Sequence, residues 1–226
     1  MDRTVRSPLD RAAFIRANTR LRPVALVPEI SLHLADEAVP LWQKTEEELA
    51  AIGLPPPFWA FAWAGGQALA RYVSDNPEIV AGGRVLDLGA GSGLVAIAAA
   101  RAGAAPVIAV DIDALSESAI ALNAEANGVH VECLVTDLLD RPGSQPPRYD
   151  VILVGDLFYE QTTAGRALAF LSCTVAAGAR ILIGDPGRAY LPDERLTRLA
   201  EYSVPVTRDL EDSDIKRTAV FALMPE

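Results

Sequence analysis

Asp87-Leu-Gly89-Ala-Gly91-Ser-Gly93 is the segment of this 226-residue chain best suited to holding a small ligand. The apolar residues from Val85 lead into it and the apolar run Leu94 to Ala102 leaves it, which predicts a strand, a tight turn and a helix. Glycines let such a turn close and let a ligand approach the backbone, and the first N–H groups of the helix face that ligand. A dinucleotide turn is spaced Gly-x-Gly-x-x-Gly and seats a pyrophosphate on the helix N-terminus. Here the third glycine arrives one residue early, at Gly93, and position 94 is Leu. The carboxylate of Asp87, at the head of the turn, repels a pyrophosphate and attracts a cationic amino group. S-adenosylmethionine carries that group and no phosphate, so Asp87, Gly89, Ala90, Gly91 and Gly93 are expected to bind it.

Two further acids extend the pattern. Asp111 closes the stretch Val107 to Ile112 and is placed to accept hydrogen bonds from a ribose diol, which are strong because they are charge-assisted. Ile112 beside it is a further expected cofactor contact, and Asp113 suits a helix cap. Asp137, after a third apolar stretch, can accept from an adenine amino group while Leu138 gives a flat apolar contact. Enzymes of nicotinamide dinucleotides share the ribose acid, so Asp111 alone separates no classes; Asp87 does.

Positioning these residues requires strands and helices in alternation. Strands are expected at Val85 to Leu88, Val107 to Ile112, Val131 to Thr136, Asp150 to Val154 and Ala179 to Ile183. Helices are expected over 66–74, 94–102, 114–127, 162–176 and 193–201, with 141–147 a polar loop and 204–208 and 218–224 a closing antiparallel pair. Such alternation implies an α/β fold, a mostly parallel Rossmann-like sheet with right-handed crossovers. Ligands in such sheets sit at the carboxyl ends of the strands. Upstream, residues 10–22 suit a helix that Pro23 and Pro28 end, and Ile30, Leu32 and Leu34 alternate as in a short strand. Residues 41–52 suit another helix, with Thr45 as cap and Glu46, Glu47 and Glu48 in its first turn. Pro55, Pro56 and Pro57 mark a joint between a small N-terminal lobe, 1–56, and a main domain, 57–226.

Composition narrows the function. Half the residues are hydrophobic, which excludes a disordered chain, and no apolar run reaches the ~18 residues of a membrane span. A net charge of −10, from 30 acids against 20 bases, argues against a nucleic-acid partner and suits a cationic one. Cys133 and Cys173 have no metal-ligand spacing and are expected to be small core residues in a reducing compartment. His33 and His130 have no partner motif, so no metal is expected. Residues 1–22 hold six arginines but also Asp2 and Asp10 and little serine, which favours a docked helix over a transit peptide.

Beyond these residues the chain resembles the class I, seven-stranded S-adenosylmethionine-dependent methyltransferases. It resembles one branch closely, the lysine methyltransferases of the electron transfer flavoprotein β subunit. The matching segments are 28–35, 57–77, 85–104, 110–113, 155–160 and 181–188. The resemblance implies that Asp156-Leu-Phe-Tyr159, after the fourth strand, lines an acceptor-lysine channel, with Asp156 and Tyr159 as the catalytic pair. It also implies that Trp63 contacts the cofactor. Gly65 and Gly66 suit close approach of backbone to the methionine end, Glu160 is a further candidate for attracting a cation, and Asp185-Pro-Gly-Arg188 suits a turn that shapes the acceptor entrance. Asp209 to Asp214 suits either a solvated hairpin loop or a landing patch for a basic substrate segment.

The function expected from these readings and from the resemblance is S-adenosylmethionine-dependent N-methylation of a lysine in a basic segment of the electron transfer flavoprotein β subunit, by a monomer with no nucleic-acid or membrane partner. The expected location is the cytoplasm of a bacterium, or the mitochondrial matrix if the source is eukaryotic. The alternatives are a methyltransferase for a ribosomal protein or small amine and, in another class, a dinucleotide-dependent oxidoreductase or a non-catalytic binding protein.

Overall fold

Strands whose residues are apolar without alternation must be covered on both faces. The computed structural model, which describes residues 8–35, 56–140, 148–206 and 213–225, has that arrangement. The first part of the chain forms α1 (Pro8–Asn18), β1 (Arg20–Pro23), β2 (Ser31–Leu34) and a 3-10 turn at Phe58–Ala60. Next come α2 (Ala64–Asp75), β3 (Val85–Leu88), α3 (Leu94–Arg101), β4 (Val107–Asp111), α4 (Ala114–Ala126) and β5 (Glu132–Val135). The chain closes with β6 (Val151–Gly155), α5 (Gln161–Ala176), β7 (Arg180–Asp185), β8 (Leu196–Pro205) and β9 (Ile215–Leu223).

Seven strands form one sheet in the order β5-β4-β3-β6-β7-β9-β8. Neighbours are parallel except that β9 runs antiparallel to both β7 and β8. Side chains alternate between the two faces. Val85, Leu153 and Leu182 pack with Leu69 of α2 and with Val95 and Ala99 of α3. Leu86, Ile152 and Ile183 pack with Phe158 and with Ala164 and Leu171 of α5. Asp87 shares the face of Val85, so its carboxylate enters the layer beneath α3.

The N-terminal segment docks on α4. Ile15 of α1 is buried with Trp59, Leu115, Ala119 and Leu122. Asn127 bonds both backbone groups of Ser31, at 3.0 and 2.6 Å.

Four sequence expectations fail. The helix expected over 193–201 is a 3-10 turn at Asp193–Arg195 followed by strand, because residues 196–205 pair with 215–223 along nearly their whole length, and that pairing overrides the helical spacing of Leu196, Leu199 and Ala200. The expected strand start at 204 thus falls inside β8. The helix expected over 10–22 ends at Asn18, and its last residues form β1, which pairs with β2. Cys173 is exposed on the outer side of α5 and Cys133 is half-buried on an edge strand, so neither is a full core residue. The helix expected over 41–52, the loop over 141–147 and most of the acidic run from Asp209 lie outside the described residues.

The start of α2 lies directly on the ends of β6 and β7. A Cβ at Gly184 would overlap the Gly65 carbonyl and press on Leu69, and one at Gly155 would stand 3.1 Å from the Gly66 backbone. The close approach that Gly65 permits is therefore to the sheet, whereas a side chain at Gly66 would meet only Val95 and Leu94 of α3 at ordinary distance. Gly184→Ala should destabilise the fold by about 1–3 kcal/mol through overpacking. Urea denaturation checks this, and an unchanged midpoint would show that α2 moves aside at no cost.

Candidate active site

The segments leaving β3, β4, β5 and β6 line one cavity of about 450 Å³, within the ordinary range for a small-molecule site. The glycine turn forms its floor. Gly93 is the position where a left-handed backbone matters most, with φ of 78° and no room for a side chain, since a Cβ would stand 2.9 Å from Ile120. Gly89 and Gly91, also at positive φ, and Ala90 line the cavity directly.

Asp87 is 2% exposed yet lines the cavity. Its Oδ2 accepts from the Ala96 N–H at 2.9 Å, in the first turn of α3. Burial pushes its pKa up to about 7; the Ala96 bond opposes the rise and nearby Asp111 adds to it. Asp111 accepts from the Gly91 N–H at 2.8 Å and from the Asp113 N–H at 2.9 Å, which ties the glycine turn to the end of β4. Asp113 caps α4, accepting from the Leu115 N–H at 2.8 Å, and burial pushes its pKa up to about 6. Ile112 reaches the cavity while 74% exposed, and Leu138 lines it from the core. Asp137 is less open than the sequence suggests. It accepts from the Leu139 N–H at 3.0 Å and pairs with Arg166 at 2.8 Å.

Asp156 stands at the end of β6 with a φ of 55°, uncommon for a residue with a side chain. Its Oδ2 accepts from the Gly66 N–H at 2.9 Å and its Oδ1 from Arg188 at 2.8 Å. Burial pushes its pKa up to about 6, against the pull of the Arg188 charge. Phe158, next but one, is fully buried, while Leu157 and Tyr159 line the cavity. The Tyr159 ring lies 5.7 Å from that of Phe58, which lies 5.9 Å from that of Trp63. Trp63 in turn donates from Nε1 to the Phe58 carbonyl at 3.0 Å. Glu160 is the cap of α5, accepting from the N–H groups of Thr162 and Thr163 at 2.8 and 2.7 Å, and those bonds bring its pKa down to about 2. Its carboxylate thus starts α5 while remaining ionised and exposed.

Of the twelve residues expected at the site, all but Gly93 line this one cavity. Sequence reasoning missed Arg166, whose partner Asp137 is 29 residues away, and the bond from Arg188 to Asp156. It also missed Asn123, fully buried, which donates to the Ser92 carbonyl of the glycine turn and accepts from the His33 N–H. No local pattern marks these pairings. The described lining holds five aspartates, Asp87, Asp111, Asp113, Asp137 and Asp156, against two arginines, each already paired with one of them. That balance fits a cationic ligand such as S-adenosylmethionine and disfavours a diphosphate. Among the described residues no group of histidine, cysteine and acid side chains could hold a metal ion, and no helix is long and apolar enough to cross a membrane.

A family model described as ribosomal protein L11 methyltransferase (PrmA) matches residues 67–156. The electron transfer flavoprotein beta subunit lysine methyltransferase of Danio rerio is 41% identical over 92% of this chain and 81% of its own length. The chain belongs to that lysine methyltransferase family. The Homo sapiens member is 35% identical over 94% of this chain and 82% of its own. The solved structure of the T. Thermophilus 16S rRNA N2 G1207 methyltransferase (RsmC), in complex with AdoMet and guanosine, is 26% identical. It superposes with a TM-score of 0.52, covering 76% of this chain and 46% of that one. The family and the seven-stranded fold make the protein an S-adenosylmethionine-dependent methyltransferase and remove the oxidoreductase alternative.

Three carboxyls of the site, Asp87, Asp113 and Asp156, have folded pKa values above their unfolded ones. Folding therefore favours their protonated forms. Their contribution to stability is full below about pH 4, the unfolded value, and is lost as pH rises through 6 and 7. In thermal melts of the ligand-free protein between pH 5 and 7, Asp87→Asn should lose much of the wild-type decline in Tm. An identical slope in the two proteins would show that Asp87 stays ionised throughout.

Proposed function

We propose that this protein methylates the side-chain amine of a lysine on the electron transfer flavoprotein β subunit. The observation that carries the reading is that one cavity joins the glycine turn, with Asp87 and Asp111, to Asp156 and Tyr159. Asp87 would hold the amino group of S-adenosylmethionine, against the floor made by Gly89, Ala90 and Gly91, with Gly93 closing the turn behind them. Asp111 keeps lone pairs for the ribose hydroxyls beyond the two backbone donors it already has. Ile112, Asp137 and Leu138 would surround the adenine, and Trp63 would wall the site. When bound, the cofactor supplies a methyl group on a positively charged sulfur.

The remaining chemistry falls to the chain. The incoming lysine is an ammonium and has no lone pair until it loses a proton. Asp156, ionised above about pH 6, attracts and orients that cation. Tyr159 and Phe58, neighbouring rings in the cavity lining, would flank the amine, and the Tyr159 hydroxyl can bond it. Positioning of this kind accounts for a large share of the rate in a displacement at carbon. The acidic lining favours a lysine presented on a basic segment, and the same charge disfavours nucleic acid.

The direct test is incubation with labelled S-adenosylmethionine and the purified β subunit, followed by mass spectrometry of the modified lysine. Label on a ribosomal protein or a small amine instead would replace the acceptor named here. Asp156→Ala should lower transfer at least about 100-fold with cofactor affinity kept. Loss of both together would make Asp156 a structural residue. Asp111→Ala should weaken the cofactor Kd roughly 10- to 100-fold by calorimetry, the worth of a charge-assisted bond. Unchanged affinity would remove Asp111 from the binding set.

A further inference from the structure

The turn Gly184-Asp-Pro-Gly-Arg188 is built, residue by residue, to return one side chain to Asp156. At Gly184 the start of α2 leaves no room for a side chain. Asp185, 1% exposed, accepts from the N–H groups of Gly187 and Arg188, both at 2.7 Å, and so fixes the reversal. Gly187 takes a φ of 90°, in the left-handed region that favours glycine. Arg188 then comes back over the sheet end. Its guanidinium donates to Asp156 Oδ1 at 2.8 Å, and its Cζ lies 5.9 Å from the centroid of Trp63, within cation–π range.

Asp156 is thereby held from two sides, one oxygen by the N-terminus of α2 and the other by a cation. Each oxygen keeps a second lone-pair site, so the carboxylate can still accept from an incoming amine. Among the described residues, the charges that face it are few. Arg188 comes from the turn, and Asp185, at the end of β7, opposes it. The first turn of α2, Ala64 to Gln67, brings the Gly66 N–H and no charged side chain.

We propose that Arg188 is a positioning residue for methyl transfer, holding the Asp156 carboxylate ionised and in one orientation where the acceptor amine arrives. The proposal rests on the reading that Asp156 meets the acceptor. Arg188 acts through Asp156 and not on the reacting atoms. Lysine at 188 would restore the charge but not the planar group that lies over Trp63.

The experiment follows the Asp156 carboxyl carbon by NMR against pH in the full chain, for wild type, R188M and R188K. In parallel, kcat and KM are measured with the electron transfer flavoprotein β subunit. In R188M the titration midpoint should rise by about one unit or more, with partial return in R188K. The acid limb of the rate profile should move with it, and kcat should fall roughly 10- to 100-fold while cofactor affinity holds. A midpoint that stays in place in folded R188M overturns the proposal, and so does a moved midpoint with kcat unchanged. Should R188M not fold, R188K decides, and a midpoint and kcat both equal to wild type overturn it. A wild type that leaves the β subunit unmethylated while the midpoint still moves removes the acceptor assignment, and the hold of Arg188 on Asp156 stands.

Discussion

The site keeps carboxylates away from water, and much of the surrounding structure exists to make that tolerable. Burial penalises a charged carboxylate heavily unless donors replace the lost solvent. Here the donors are helix N-termini, whose first N–H groups have no partner within the helix. Asp87 takes the Ala96 N–H of α3, Asp113 the Leu115 N–H of α4, and Asp156 the Gly66 N–H of α2. Three helices thus begin at the cavity, each with an acid on its first turn. The compensation is incomplete, since all three pKa values stay raised. A bound cation would supply what is still missing.

This arrangement divides the cavity into a general half and a particular half. The match to the L11 methyltransferase model runs from Gln67 to Asp156 and so covers the glycine turn, Asp111 and Asp137. It stops before Tyr159 and the turn from Gly184 to Arg188. The relatives that share the lysine methyltransferase name match over nearly the whole chain. Cofactor chemistry is common to many acceptors, so its residues recur widely. The parts that would meet the acceptor under the proposed function lie at the ends of β6 and β7 and in the aromatic segment before α2.

The departures from the sequence reading share one cause. Local spacing describes what a segment does alone, whereas pairing and packing depend on partners far along the chain. Leu196 to Pro205 has apolar spacing compatible with a helix, but a nine-residue partner strand, β9, offers it a ladder. Gly65 and Gly66 look like backbone cleared for a ligand, but the elements they touch, Gly155 and Gly184, have no side chains either. Glu160 looks free to attract a cation, but each of its oxygens already accepts an N–H that caps α5. Each would have required knowing a neighbour that the local pattern does not contain.

By itself the sequence determined the order of strands and helices, the glycine turn with its acid, and the acids at the ends of the next strands. These are short-range features, written in apolar period, in glycine and in the carboxylate that follows each strand. Only the tertiary structure decided how those acids are held. The hydrogen bond from Gly66 to Asp156 spans 90 residues, and the one from Arg188 spans 32. Such contacts form because the parallel sheet brings the ends of β3, β4, β6 and β7 to one edge, where helix termini and returning loops converge. A carboxylate's ionisation depends on the donors and charges within a few ångströms of it, and that neighbourhood exists only once the sheet has assembled.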